Sequence, residues 1–285
     1  MNNGCHKKRT LLLATAVLGA CLSVGLTTQT ASAAESPAES PAVDWPQYRG
    51  DLAGTGYSPL RQIDANNVSS LTTGWRYSLR SADDTSENGP NSQATPIVVD
   101  GVMYVPGADS IVALDPSTGT EIWKHTVSGD TPSRRGVAYW AGNGDSAARI
   151  LFTAGTQLIA LDATTGAPAA SFGEQGNVDL AIPYNSVPLV YDDIVVVGAN
   201  TPRGAAGGIG NARAYDLRTG EKLWEFSSVP QPGQLGHDTW EGDSWQGRLG
   251  ANAWPFYFTV DAESELLYLP LASPIPFAYG GDREG

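Results

Sequence analysis

Three copies of one short pattern constrain this chain more than any other feature. "ALDPSTGTEIW" (113–123), "ALDATTGAPAA" (160–170) and "AYDLRTGEKLW" (214–224) share A-[LY]-D-x-x-T-G, at spacings of 47 and 54 residues. Each copy follows a short apolar or alternating run, "SIVAL", "QLIAL" or "ARAY". An Asp can cap a tight turn through its carboxylate and the Gly can take positive φ, so D-x-x-T-G joins two antiparallel strands. A repeat near fifty residues predicts stacked supersecondary units.

Two further strands are expected before each turn. "TPIVV", Asp100-Gly101 and "VMYV" read as a hairpin with a two-residue turn, and "SVPLVYDDIVVVG" (186–198) repeats the form. The first unit is therefore predicted as four strands at 96–99, 102–105, 111–114 and 121–126. "RGVAYW" and "RILF" open a second unit, residues 187–226 make a third, and "WPFYFTV" with "ELLYLPL" begin a fourth. The predicted fold is all-β: a β-propeller of four-stranded blades, incomplete at about three and a half blades. "TTGWRYSL" (72–79) reads as a lone outer strand closing the ring, and "DANNVSSL" (64–71) as one short helical turn. Trp123 and Trp224 end their repeats and are expected to dock between neighbouring blades, where aromatic burial is large. Ala170 stands at that place in the second copy, which predicts one missing docking contact.

The N-terminus reads as an export signal over residues 1–33. Lys7, Lys8 and Arg9 precede the apolar run "LLLATAVLGACLSVGL", and "ASA" stands before Ala34. Cys21 in "LGAC" offers lipoprotein processing as the alternative. Residues 34–44 ("AESPAESPAVD") have no packable apolar face and read as a disordered tether, with one propeller domain over 45–285. Cys5 and Cys21 are the only cysteines and both fall in the signal, so the mature chain has no disulfide or thiolate chemistry. Taking away Lys7, Lys8 and Arg9 leaves 14 basic residues against 30 acidic ones, a net of −16. That charge argues against nucleic acid and anionic membrane surfaces as partners.

Other chemistries find little support. His6 lies in the signal, and His125 and His237 belong to unrelated segments with no H-x-x-x-H spacing, which argues against a histidine zinc site. "GAAGGIG" (204–210) joins two strands and opens no helix, so it is no dinucleotide fingerprint. No G-x-S-x-G occurs. "HDTWEGD" (237–243) reads as a hydrated loop. The stretch "TWEGDSWQGRLGANAW" (239–254) is more pointed, because three indoles in so loose a backbone need a reason.

These segments resemble the quinoprotein dehydrogenases, alcohol and glucose dehydrogenases that use pyrroloquinoline quinone (PQQ). The eleven-residue repeat is similar to that family's tryptophan-docking motif, and "DWPQYRGDLAGTGYSPLRQIDANNVSSLTTGWRYSL" to its N-terminal segment. "RRGVAYW", "TWEGDSWQGRLGANAW" and "YLPLASPIPFAYGGDREG" extend the resemblance over residues 44–285. It implies an eight-bladed propeller with PQQ on the central axis, usually beside Ca²⁺ or Mg²⁺. Trp254 matches the tryptophan that stacks on the quinone, and Asn252 a small polar contact to it. Arg135 matches an arginine near the reactive oxygens, where a guanidinium would stabilise developing charge. Gln93 stands where many relatives carry Glu, and Thr153 matches a threonine facing a cofactor carboxylate.

The resemblance also has departures. Gly129 and Asp130 stand where some relatives carry a cysteine pair, a pair that the glucose-type relatives also lack. At the metal positions Asn200 and Ser273 are neutral replacements for a hard cation's anionic oxygen shell. The family's general base, an Asp, falls in a later blade beyond Gly285, so a fragment inactive by itself is expected. The implied reaction of the whole enzyme is oxidation of a primary alcohol or a sugar hydroxyl outside the cytoplasm. The Asp takes the hydroxyl proton, hydride passes to the quinone, and a membrane quinone or cytochrome accepts the electrons. The rival expectation is a non-catalytic propeller of the same repeat family, acting as a cell-envelope scaffold.

Overall fold

The structure is a computed structural model; it describes residues 43–85, 92–199, 211–247, 253, 258–273, 280–281 and 283–284. All of them fall within the compact unit Ser40–Gly285. Three antiparallel four-stranded sheets follow one another along the chain, each meandering in sequence order. The first holds β1 (Ile97–Val99), β2 (Val102–Pro106), β3 (Ser110–Leu114) and β4 (Glu121–Thr126). The second holds β5 (Ala138–Trp140), β6 (Arg149–Ala154), β7 (Gln157–Asp162) and β8 (Asn177–Asp179). The third holds β9 (Leu189–Tyr191), β10 (Ile194–Val197), β11 (Ala212–Asp216) and β12 (Lys222–Phe226). A fourth unit contributes the hairpin β13 (Thr259–Asp261) and β14 (Leu266–Tyr268). This is the incomplete β-propeller that the repeat predicts.

The three repeat turns share one local solution. Asp115, Asp162 and Asp216 each accept, through Oδ1, the backbone N–H groups two and three residues on. The motif glycine then donates its N–H back to the aspartate carbonyl at 2.8–2.9 Å with φ between +70° and +76°. Asp100 and Gly101 both take positive φ in the β1–β2 turn, the geometry a two-residue hairpin needs.

The cores lie between the sheets. Ile150 and Phe152 of β6 pack with Ile97, Ile111 and Trp123 of the first sheet, whereas Leu151 packs with Val195 and Tyr215 of the third. Because the strand is covered on both faces, every residue of β6 is buried. Leu189, Val196 and Ala214 pack in turn with Phe258 and Val260 of the fourth unit. A short N-terminal segment ties the first strands of three units together. Trp45 exchanges two backbone hydrogen bonds with Val98, Gln47 Nε2 donates to the Val190 carbonyl at 3.4 Å, and the Leu52 carbonyl accepts from Val260 N.

Blade docking departs from the sequence expectation in two places. Trp123 docks as expected: its Nε1 donates to the Ala163 carbonyl at 3.0 Å, and Gly166 lies beneath the ring. Trp75, in the segment expected to close the ring, docks one interface earlier on Pro116 and Gly119, without forming a ladder-paired strand. At the second-to-third interface the contact expected to be missing is replaced. Arg149 Nη1 donates to the Leu217 carbonyl, and the guanidinium also reaches the Arg218 carbonyl at 3.1 Å and Ser171 Oγ at 2.6 Å. The loop between β7 and β8 adds Gly173 N to the Thr219 carbonyl at 2.8 Å, while Ala170 is exposed. Trp224 does not dock; it is 37% exposed beside exposed Leu223 and Phe226. Among the described residues the fourth unit supplies only its first two strands, so no repeat turn lies across from this indole. The short helical turn expected in 64–71 is a 3-10 turn at Val68–Ser70.

Candidate functional site

The loops leading into β1, β5 and β9 gather at one end of the sheets, with the β2–β3 and β6–β7 turns. Repeat turns and the β1–β2 turn lie at the opposite end, as an antiparallel meander requires. The gathered loops enclose a cleft of about 540 Å³, within the size range of small-molecule sites. Ser92, Asp130, Arg134, Thr153, Tyr184 and Asn185 are among its walls.

The cleft is braced from behind. Gln93 N donates to the Arg134 carbonyl and Thr95 N to the Arg135 carbonyl, joining the approach to β1 to the approach to β5. Ser133 N donates to the Thr153 carbonyl at 2.7 Å. Thr153 is fully buried in β6, and its hydroxyl donates to the Ser186 carbonyl at 3.1 Å. The Asp130 carboxylate lies directly over Gly155, where any side chain would collide with it. Tyr184 is 1% exposed, and burial pushes its phenol ionisation well above the ordinary range, against the nearby Gly198 backbone and the Arg135 charge. The hydroxyl is thus a neutral donor, yet neither group meets it in hydrogen-bond geometry. Gly198 also lets two walls meet: a Cβ there would stand 2.7 Å from the Ala253 Cβ and 2.9 Å from the Tyr184 ring.

The sequence-selected residues are distributed unevenly around this cleft. Thr153 lines it, with its hydroxyl proton given to Ser186. Arg135 is half-buried and stands outside the cleft lining; its neighbour Arg134 is the arginine on the wall. Gln93 is exposed and acts here through its backbone, while Ser92 lines the cleft. Ser273 is exposed beyond β14. Trp254, Asn252 and Asn200 lie outside the described residues, although Ala253, between two of them, is buried and bridged to Leu271. Among the described residues no three His, Cys, Asp or Glu side chains converge as metal ligands do. Trp245 meets His237 edge-on at 5.0 Å, and His237 Nδ1 donates to the Pro230 carbonyl, so this indole braces its own loop.

Sequence reasoning passed over Tyr184, Ser186, Asp130 as a wall residue and Arg134. No local signal marks Tyr184 and Ser186, since "PYNSVP" reads as an ordinary connector. The doubled arginine was visible, but which of the two faces the cleft depends on how the loop packs.

A flat, oxygen-rich acid fits such a cleft. Its walls offer a guanidinium and a buried neutral phenol, donor types that carboxylate and carbonyl oxygens require.

The comparisons with known proteins agree with this fold. The family described as "PQQ: Glucose/ethanol/alcohol dehydrogenase, beta-propeller domain" matches residues 45–285. The quinohemoprotein alcohol dehydrogenase of Comamonas testosteroni is 33% identical over 89% of this chain and 37% of its own length. The quinoprotein glucose dehydrogenase of Gluconobacter oxydans is 29% identical over 92% of this chain and 36% of its own length. The crystal structure of the Comamonas testosteroni enzyme superposes with a TM-score of 0.68 at 29% identity, covering 84% of this chain and 36% of that one. The chain therefore spans little more than a third of the length of these relatives. No helix among the described residues is long and apolar enough to cross a membrane. Repeat, blade topology and family match converge: the chain belongs to the β-propeller family of the PQQ-dependent glucose, ethanol and alcohol dehydrogenases.

Proposed function

We propose that this chain is the cofactor-binding part of an exported PQQ-dependent dehydrogenase that oxidises an alcohol or a sugar hydroxyl. The observation that carries the reading is the 540 Å³ cleft, walled by donor groups, in a chain of this family. PQQ, when bound, supplies a two-electron acceptor for the substrate's hydride. The protein's share is to bind and orient. Arg134 supplies charge on the cleft wall, and the Thr153–Ser186 hydrogen bond fixes the wall behind it. Arg135, half-buried beside the Tyr184 phenol, adds positive potential from the second layer. Trp254 is the proposed stacking platform, with Asn252 beside it, and Gln93 a further contact.

Asn200 and Ser273 are the proposed positions facing any Ca²⁺ or Mg²⁺. Neither is anionic, so this chain contributes little to a cation's affinity. A membrane quinone or a cytochrome is the proposed electron acceptor. The general-base Asp belongs to the part of the relatives that this chain does not span, so the chain by itself is expected to bind without turnover. Export by the 1–33 signal places the reaction outside the cytoplasm, with Cys21 lipidation as the other processing route.

The test is titration of the purified chain with PQQ, with and without Ca²⁺, read by quenching of tryptophan fluorescence, followed by dye reduction with alcohols and sugars. Saturable quenching that Trp254→Ala abolishes supports the reading. Absence of binding in the wild-type chain overturns it in favour of the envelope scaffold.

A further inference from the structure

The turn end of the sheets, opposite the cleft, holds a second cavity of about 230 Å³ between the first and second sheets. Three aromatic side chains line it, Tyr104, Trp123 and Tyr139. The Tyr104 ring centroid lies 5.9 Å from that of Trp123 and 6.4 Å from that of Tyr139. The Tyr104 hydroxyl and Trp123 Nε1 both donate to the Ala163 carbonyl, which fixes the two rings and leaves the cavity their carbon surface. Asp100, in the β1–β2 turn, is a further wall, and among the described residues no Lys, Arg or His lines the cavity. Burial, and after it negative charge that includes Asp100, pushes the Tyr104 phenol up to about 12 and raises Tyr139, so both rings are neutral.

The next interface shows what such a place holds when it is filled. In the second sheet Ile150 pairs with Leu161 and Arg149 precedes it; in the first, Met103 pairs with Leu114 and Val102 precedes it. Val102 therefore takes the register position of Arg149, one interface earlier. Arg149 lays its guanidinium over the Trp140 and Phe172 rings, supported by the charge of Asp216, the repeat aspartate of the following sheet. The first interface has the rings, has the repeat aspartate Asp162 acting on Tyr104, and adds Asp100. It lacks the cation, because a short valine stands where the arginine would start. Aromatic rings and carboxylates with no cation of the protein's own are the surroundings that an ammonium ion from outside requires.

We propose that this cavity binds the quaternary ammonium group of a small solute, with its methyl groups against Tyr104, Trp123 and Tyr139 and its charge beside Asp100. A quaternary head needs no hydrogen-bond acceptor, which suits a site whose Ala163 carbonyl is already engaged twice. A primary amine or a guanidinium would have to find acceptors for its N–H groups here. The chain's net charge of −13 draws a cation toward it. The inference stands apart from the PQQ reading, because the cavity lies at the other end of the sheets and shares no wall residue with the cleft.

The experiment titrates the full chain calorimetrically with tetramethylammonium chloride at constant ionic strength, and with tert-butanol as the uncharged counterpart of similar shape. Saturable binding of the cation is expected, about tenfold tighter than that of tert-butanol. Asp100→Asn changes an exposed side chain at φ +50°, a conformation Asn tolerates, and is expected to weaken the cation about three- to fivefold. Tyr139→Leu keeps the apolar wall, removes the ring and is expected to weaken it about five- to thirtyfold. Val102→Arg supplies the cation from within, as Arg149 does at the next interface, and is expected to abolish binding; the other two variants decide the matter even if this one does not fold. No saturable binding by the wild type, equal affinity for tert-butanol, or unchanged affinity in any of the three variants overturns the proposal. Phosphatidylcholine vesicles form the last arm: co-sedimentation with them, without binding of the free cation, overturns the assignment to a small solute.

Discussion

The Arg149 guanidinium donates to the Leu217 carbonyl, the same turn position whose carbonyl takes an indole N–H from Trp75 at Pro116 and from Trp123 at Ala163. A cation thus performs at the third interface what tryptophan performs at the first two. Arg149 is buried, lies 5.3 Å from the Trp140 ring centroid and 5.9 Å from that of Phe172, and its ionisation is lowered by burial against the supporting charge of Asp216. Its three acceptors and two aromatic faces offset that desolvation.

Arg149→Met keeps the apolar stem and removes the donors. It is expected to cost about 2–3 kcal/mol, because the Leu217 and Arg218 carbonyls lose their charged donor at a packed interface. Arg149→Lys should recover only part of this, since a single ammonium cannot reproduce the planar fork. Urea unfolding measures both; a methionine variant with the wild-type midpoint would show that the pairing contributes nothing.

Two tryptophans of the same motif should respond differently to truncation. Trp123→Ala removes a 9% exposed indole with its bond to Ala163 and is expected to cost about 3–5 kcal/mol. Trp224→Ala should stay within about 1 kcal/mol in this chain, because its ring is already 37% exposed. Equal losses in thermal unfolding would contradict the docking assignment.

Glycine substitutions separate conformational strain from collision. At Gly166, with φ +71°, a Cβ would stand 2.6 Å from the Trp123 ring, so Gly166→Ala displaces the docked indole as well as straining the turn. At Gly101, with φ +75°, nothing lies within 4 Å, and only the left-handed backbone penalises the change. The expected costs are more than about 3 kcal/mol for the first and about 1–2 kcal/mol for the second. Calorimetric unfolding of the pair reads the difference directly.

Acid should weaken the third sheet through two carboxylates. Burial alone would raise Glu225, but hydrogen bonds from Lys222 and Asn211 and the charge of Arg213 outweigh it and hold the carboxyl at about 2. The Arg218 hydrogen bond, against a smaller desolvation effect, holds Asp216 at about 2 as well. Both values lie below the unfolded ones near 4, so this stabilisation is complete above about pH 4.5 and is lost as pH falls toward 2. Urea midpoints from pH 5 to 2 should fall less steeply in Glu225→Gln; parallel curves for variant and wild type would exclude Glu225 as a contributor.

What the sequence determined by itself is local. Asp115, Asp162 and Asp216 form the same capped turn because carboxylate, backbone N–H groups and glycine lie within five residues of one another, so the pattern specifies the geometry without help from elsewhere. Four strands between such turns, repeated, cannot cover their own faces and must stack, which made the propeller legible. The tertiary structure decided the rest, because blade interfaces and cleft walls join residues far apart in the chain. Arg149 and Leu217 are 68 positions apart, and Thr153 and Ser186 are 33 apart. No pattern in either segment announces its partner, so the sequence marked Ala170 as a gap where packing supplied an arginine. The same holds at the cleft: which of Arg134 and Arg135 reaches the wall, and that the Tyr184 phenol stands there, follows from how three sheets meet.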